Sequence, residues 1–256
     1  MELNKKIRFK SVKLLFQRFL MVFVAMIASM AMIACGESEG EGNGGGENGG
    51  GNGGSGVTGK RIKSITESYL GSAGGPVRSE FSYNSDGTLK QMDSYDESNK
   101  RVMYSTFTHN SDGVRTKYEQ YDIAYTNATS KYEIFYNANK TLQKMEGTIS
   151  IGGVIASTST HEYTFQNGRK TKEVLTVKAG PVTQRIDIEY QYDAQGRRTI
   201  TTQTPAIGIP TVYTRTYNSD GTLQKATYTA DGRVITKTVT WENGKSTVDE
   251  DIFFAF

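Results

Sequence analysis

Metal and thiol chemistry have little to work with in this chain. Its 256 residues include one cysteine and two histidines, and a zinc site needs His or Cys in clusters at ligand spacing. There is no phosphate loop, dinucleotide fingerprint or Gly-x-Ser-x-Gly elbow. The Asn-Ser-Asp-Gly segments do not meet the calcium-loop pattern, which requires alternating acidic or amide positions and a distal Glu. No helical periodicity follows Cys35. The longest apolar run, Phe19 to Ala34, has 16 residues, short of the roughly 20 that a membrane-spanning helix needs. These absences leave no expected metal or cofactor and no expected catalytic residue.

What the chain has is repetition. Eight segments place an aromatic or histidine side chain three or four residues before a turn glycine or its stand-in. They run Tyr83 to Gly87, His109 to Gly113, Tyr136 to Lys140, Phe165 to Gly168, Tyr192 to Gly196, Tyr217 to Gly221, Tyr228 to Gly232 and Trp241 to Gly244. Asn, Asp and Gly supply the positive φ and the side-chain-to-backbone bonds of tight hairpins. Weaker turns fall midway, at Asp96 to Asn99, Tyr125 to Asn127, Gly152-Gly153, Ala179 to Pro181, Ala206 to Pro210 and Asp231-Gly232. One period is therefore two strands.

Between turns the side chains alternate as a sheet with unlike faces requires. Ile186, Ile188, Tyr190 and Tyr192 share one face, and Arg185, Asp187, Glu189 and Gln191 the other. Tyr132, Ile134 and Tyr136 likewise fall together, whereas Val154 to Thr160 is nearly featureless. The turns predict an all-β, antiparallel up-and-down meander of about fourteen strands. So wide a meander curls, splits or closes, and the expected form is a closed, porin-like, soluble barrel. Its interior must then be flattened, wet or occupied.

The first 34 residues read as a secretion signal, with a basic start at Lys5, Lys6, Arg8, Lys10, Lys13 and Arg18 before the apolar run. Ala34-Cys35-Gly36 resembles the lipobox of bacterial lipoproteins, with Met32 where Leu is usual. That resemblance implies lipidation of Cys35. Removing the signal leaves 24 basic against 26 acidic residues, so the basic balance of the whole chain is no nucleic-acid footprint. Residues 35–56 form the lipidated cysteine and a Gly/Glu-rich tether; positions 36–56 hold twelve glycines and four glutamates. Such a coil reaches about 25 Å. Acidic residues just after the cysteine also resemble the surface-export signal of some Gram-negative lipoproteins. Residues 57–256 form one β domain. The expected address is the outer membrane, on its cell-surface or periplasmic face, through the lipid.

A barrel lying within the membrane needs an unbroken apolar band on one parity of every strand. Counted by parity, Lys170, Lys172 and Lys178 oppose Glu173, and Gln143 opposes Lys144 and Glu146, so polar groups occupy both faces. Ile252, Phe254 and Phe256 resemble the C-terminal insertion signal of outer-membrane barrels; here the tail is read as the closing strand of a soluble barrel.

Tyr192-Asp-Ala-Gln-Gly196-Arg197 resembles the tyrosine-aspartate repeat of the Rhs type, with Asn218 in place of Asp in the Tyr217 copy and His109 opening another. The whole plan is similar to a bacterial lipoprotein family of unknown function with a porin-like barrel. That likeness implies a fold and brings no catalytic residues with it.

His109 and His161 fit the pre-turn aromatic row, with no orienting partner in view. The Asp187 and Glu189 pair reads as solvated or cross-strand paired. Tyr83, Tyr136, Tyr192, Tyr217, Tyr228 and Trp241 are the candidate ligand-stacking residues, since each joins an apolar body to a polar handle. The same residues serve equally as cross-strand staples. The expected function is a binding module for an oligosaccharide or apolar small molecule. A non-catalytic structural or adhesive scaffold is the alternative, and a hydrolase, which needs an interior acidic or histidine cluster, the third.

Overall fold

The computed structural model describes residues 59–67, 77–123, 128–138, 141–230 and 233–244. They form fourteen strands: β1 (Lys60–Glu67), β2 (Arg78–Tyr83), β3 (Leu89–Tyr95), β4 (Arg101–His109), β5 (Arg115–Asp122), β6 (Ala128–Tyr136), β7 (Leu142–Ile151), β8 (Val154–Gln166), β9 (Arg169–Ala179), β10 (Val182–Tyr192), β11 (Arg198–Pro205), β12 (Thr211–Tyr217), β13 (Leu223–Ala230) and β14 (Arg233–Asn243). Each strand pairs antiparallel with its chain neighbours, and β14 pairs with β1 to close the sheet. The all-β closed meander and its strand number are as expected. Closure differs in one respect: the closing strand is β14, whose Trp241 pairs with Ile62, and not the tail at Ile252 to Phe256. That tail, the signal, Cys35, the tether and the turns at Tyr125 to Asn127, Lys140 and Asp231-Gly232 lie outside the described residues.

The two rims differ in chemistry. Connections from even to odd strands carry the Asn/Asp/Gly turns and form one end, the turn rim. At Asn84 the backbone N–H donates to the Thr88 carbonyl (2.8 Å) while the Gly87 N–H donates to the Asn84 carbonyl (3.0 Å). The same pair of bonds recurs at Asn110, Asp193 and Asn218. This geometry needs a left-handed residue, which Gly87 (φ 89°) and Gly221 (φ 85°) provide. The side chain of Asp86 adds an acceptor for the Thr88 N–H at 2.9 Å. Connections from odd to even strands form the far rim, with its shorter turn at Gly152-Gly153.

One irregularity repeats at every turn-rim hairpin and at the closing seam. Tyr83 pairs with Leu89 while Ser82 pairs with Gln91, so Lys90 is an extra residue. Equivalent single-residue bulges fall at Lys63, Thr116, Gln143, Thr171, Thr199 and Gln224. Each lets the residue two beyond the turn glycine face inward, the next two face outward, and alternation resume. Parity counted along the sequence therefore fails just after each turn. Lys170 and Glu173 both face the interior, at 1% and 0% exposure. Gln143 and Lys144 are both on the outer wall together with Glu146, while Leu142 and Met145 face in.

The outer wall carries ion pairs well within the strands. Glu119 sits between Lys117 (3.2 Å) and Lys131 (3.1 Å). Asp187 sits between Arg185 (3.0 Å) and Lys172 (3.4 Å), which places it in a solvated cross-strand pair. Inward side chains are packed: Met92, Tyr118, Met145, Leu175, Ile188 and Leu223 are all fully buried. A wet channel of the kind that sixteen strands enclose would leave such a wall accessible. The interior is packed.

Candidate functional site in the barrel interior

At the turn rim the repeated aromatic residues tie one hairpin to the last. Each stands at the bulge of an even strand and reaches back to the carbonyl of the inward residue that begins the preceding odd strand. Tyr83 donates its hydroxyl to the Ile62 carbonyl (2.7 Å), Tyr136 to Arg115 (2.8 Å), Tyr192 to Lys170 (2.7 Å) and Tyr217 to Arg198 (2.7 Å). Trp241 Nε1 donates to the Leu223 carbonyl at 2.8 Å. Arginines cover the rings: Arg61 lies 4.8 Å from the Tyr83 centroid, Arg197 4.9 Å from Tyr217 and Arg169 5.6 Å from Tyr192. Gly196, at φ 84°, lies against the Arg169 guanidinium, which a Cβ there would displace. Five of the six candidate stacking residues thus spend their polar handle on the backbone. Tyr228 stands apart, nearer the far rim, against Tyr213 (4.7 Å).

A second set of rings, not singled out by the repeat, lines the interior. Phe107, Tyr118 and Tyr132 follow one another across β4, β5 and β6, with centroids 6.1 and 4.5 Å apart. Tyr132 lies over Gly147, its partner on β7, where any Cβ would strike the ring. His161 meets the edge of Tyr132 at 6.3 Å and stacks on Tyr163 at 6.5 Å. Burial pushes the Tyr132 hydroxyl up to about 12.

One row nearer the far rim, small polar side chains replace the rings. Ser105 pairs with Gln120, and Gln120 with Ser130; Ser94, Ser157 and Ser159 are buried beside them. Gln120 Nε2 reaches Met103 Sδ at 2.7 Å. The buried atoms Gln120 Oε1 and Ser105 Oγ have no hydrogen-bond partner among the described residues. Buried polar atoms are ordinarily satisfied, and this pair stands beside the ring wall.

Histidine 161 does have a partner. Its Nδ1 is 2.7 Å from Glu173 Oε1 across the β8–β9 hairpin, and Tyr190 donates its hydroxyl to Glu173 Oε2. Lys170 Nζ sits 4.7 Å from the Tyr190 centroid and Arg198 4.4 Å from the same ring. Burial pushes the Glu173 carboxyl up, but His161, Lys170 and Tyr190 outweigh it and hold the group below the ordinary carboxylate value. Burial, reinforced by the Glu173 charge, raises the Tyr190 hydroxyl. The sequence hid this cluster because Thr171 is a bulge residue. Reading inward positions as two and five beyond each turn glycine would have found it, since Gly168 then points to Lys170 and Glu173.

A smaller polar pair joins β14 to β1. Lys237 Nζ lies 3.6 Å from Glu67, and burial pulls the lysine down although Glu67 opposes the shift. Arg215 donates to Thr201 Oγ1 at 2.6 Å. His109, at the turn rim, is pulled below its usual value by burial and by Arg115. Among the described residues no group of three His, Cys, Asp or Glu side chains is placed to hold a metal ion. No helix among them is long and apolar enough to cross a membrane, which says nothing of strands.

No protein-family model matches the chain, and no curated protein matches it. Among solved structures it is similar to a porin-like protein from Bacteroides uniformis, at 15% identity and a TM-score of 0.43, covering 70% of this chain and 96% of that one. It is also similar to part of the TcdB2-TccC3-Cdc42 structure, at 10% identity and a TM-score of 0.24, covering 70% of this chain and 12% of that one.

Proposed function

We propose that the chain is a lipid-anchored binding module of the outer membrane or cell surface whose interior takes an oligosaccharide. One observation carries the reading: a wall of three rings, Phe107, Tyr118 and Tyr132, runs beside a buried row of hydroxyl and amide groups in which Ser105 Oγ and Gln120 Oε1 lack partners. Apolar faces with a few placed donors and acceptors are what a sugar ring needs. An apolar small molecule would leave those polar atoms unpaired, which costs binding energy. The pre-turn tyrosines hold the rim in shape for this site.

The interior is packed and sealed, so a ligand enters only by a local opening in which the ring wall also gives way. Among the described residues the β1–β2 seam has the fewest register pairs, Ser64 with Glu80, Ile65 with Ser79 and Thr66 with Arg78, and it continues through the Glu67 N–H to the Val77 carbonyl at 2.8 Å. Ser79 Oγ is 3.0 Å from Ser94 Oγ across the β2–β3 ladder, one row nearer the far rim than Ser105, so an opening at that seam meets the wall one row from the polar side chains.

The module is read as non-catalytic. Although His161 and Glu173 form the interior acid–imidazole pair that a hydrolase would want, both are shut from solvent and spent on each other. A structural or adhesive scaffold is the alternative, favoured by the same packed interior.

Thermal unfolding of the mature chain against glycan and lipid panels tests the reading. A bound glycan raises Tm by mass action, and the S105A/Q120L variant, still folded, loses that rise. A panel with no shift supports the scaffold, and a shift that survives both substitutions places the ligand elsewhere.

A further inference from the structure

Every exposed large aliphatic side chain among the described residues lies at the far rim or within two residues of it. They are Ile123 after β5, Val154 and Ile155 opening β8, Ile207 and Ile209 between β11 and β12, Val212 on β12 and Val234 on β14. Ile207 and Ile209 are 91% and 87% exposed and Val154 71%. The turn rim has none. On the same rim the β3–β4 turn is charged instead, at Asp96, Glu97 and Lys100, so the apolar tips occupy one arc of the ring.

We propose that this arc docks on a lipid bilayer, with the β7–β8 and β11–β12 tips in the interfacial region and the barrel standing on the membrane. Three features favour lipid over a protein partner. The exposed set is wholly aliphatic, whereas protein interfaces are anchored by Trp, Tyr and Arg, with Leu and Val under-represented. The side chains are spread over the far-rim ends of four hairpins, β5–β6, β7–β8, β11–β12 and β13–β14, which suits a fluid phase better than a shaped partner. The ion pairs along the outer wall stop a deeper, spanning position, because a charge at the bilayer midplane costs about 2–4 kcal/mol.

The chain outside the barrel fits the same posture. β1 begins at the turn rim, so the tether leaves the end opposite the apolar tips. Strands of six to thirteen residues, about nine on average and tilted as barrel strands are, make a wall roughly 23 Å high. By composition, a Gly-rich linker of the length between Cys35 and β1 would span about 27 Å, a distance comparable with the height of the wall. This clause rests on the anchor reading; the docking of the tips does not.

Tryptophan fluorescence decides the orientation, because Trp241, the one tryptophan of the chain, is at the turn rim. The full chain is placed in phosphatidylethanolamine and phosphatidylglycerol vesicles containing lipids brominated on the acyl chains. Wild-type Trp241 stays unquenched, while an I207W/W241F chain is strongly quenched. Separately, the C35S mature chain floats with the same vesicles, and I207S/I209S lowers its partitioning by about tenfold or more. Both isoleucines are exposed, and an unchanged melting curve shows that the variants fold. The reverse quenching pattern, quenching of neither, or flotation indifferent to I207S/I209S overturns the proposal. So does a concentration-dependent dimer in sedimentation that I207S/I209S abolishes, since a second copy would then cover the tips. Acyl labelling of Cys35 reports the anchor independently, and a glycan shift in Tm is unaffected by either result.

Discussion

A tyrosine on a strand end offers a ring and a hydroxyl, and here the two have different employers. The ring of Tyr192 lies under Arg169 at 5.6 Å and Arg198 at 5.7 Å, while its hydroxyl closes on the Lys170 carbonyl at 2.7 Å. A hydrogen bond of this kind contributes about 1 kcal/mol net. Tyr192→Phe keeps the ring and the cation contacts and removes the bond to the carbonyl together with the long bond, 3.4 Å, that the hydroxyl accepts from Arg198. Its expected cost in urea unfolding is therefore about 1 kcal/mol, with glycan response unchanged. A variant as stable as the wild type would show the hydroxyl to be idle, and one that lost a glycan response would return the residue to the binding site. Trp241 makes the same bond with an indole N–H, so a long aromatic donor at this position can be a phenol or an indole. Phe165 occupies the equivalent place without a donor.

At the scale of the strand, the bulge decides which residues meet. Thr171 lets Lys170 and Glu173 face inward together, and the β8–β9 and β9–β10 pairings then bring His161 and Tyr190 to the two carboxylate oxygens. Glu173 has its carboxyl held below the ordinary value of 4.5 despite burial. A folded-state pKa depressed in this way contributes stability that is present above about pH 4.5 and is lost as pH falls through the folded value. Glu173→Gln removes the buried charge that His161 and Tyr190 contact and that attracts Lys170, at an expected cost of about 3 kcal/mol at pH 7. The gap between variant and wild type, followed by denaturant unfolding, closes as the pH is lowered below 4 or so. A gap of constant size would mean that shape and not charge is what the site requires. The turns, the strand number and the meander were legible in the sequence because Asn-Ser-Asp-Gly chemistry is local and repeats. The face of Ile186, Ile188 and Tyr190 was legible too, because those residues lie beyond the bulge. Lys170, Glu173 and Gln143 were not, since one extra residue after each turn shifts the parity on which the reading depended. His161 likewise acquires its partner only across a strand pair, which no spacing along the chain displays.

The whole barrel stores a set of buried phenols, and closure is what buries them. Tyr132 on β6 and Tyr213 on β12 have their hydroxyls pushed up from 10.0 to about 12 by burial, and Tyr190 and Tyr228 are raised as well. These residues lie on widely separated strands, so they report on the ring as a unit. In the unfolded chain each titrates near 10. A raised folded value means that the native state keeps a proton which the unfolded state has given up. Their contribution is full below pH 10 and is lost as the pH rises through the folded value. For Tyr132 and Tyr213 the two-unit displacement corresponds to about 3 kcal/mol each. Lys237 acts with the opposite sign, because burial favours its neutral form and the unfolded state holds the extra proton up to about 10.5. Its penalty is relieved as the pH rises towards 10.5. The barrel is expected to hold its stability up to about pH 10 and then to unfold in one transition between about pH 10 and 12. Phenolate absorbance of the buried tyrosines should appear together with the loss of the strand signal in circular dichroism. In Y132F/Y213F both groups are removed from the balance, and the midpoint moves to higher pH. If instead the phenolate signal rises well before the strands are lost, the interior admits hydroxide and is not packed against solvent. That outcome would also withdraw the sealed site on which the entry route through β1 and β2 depends.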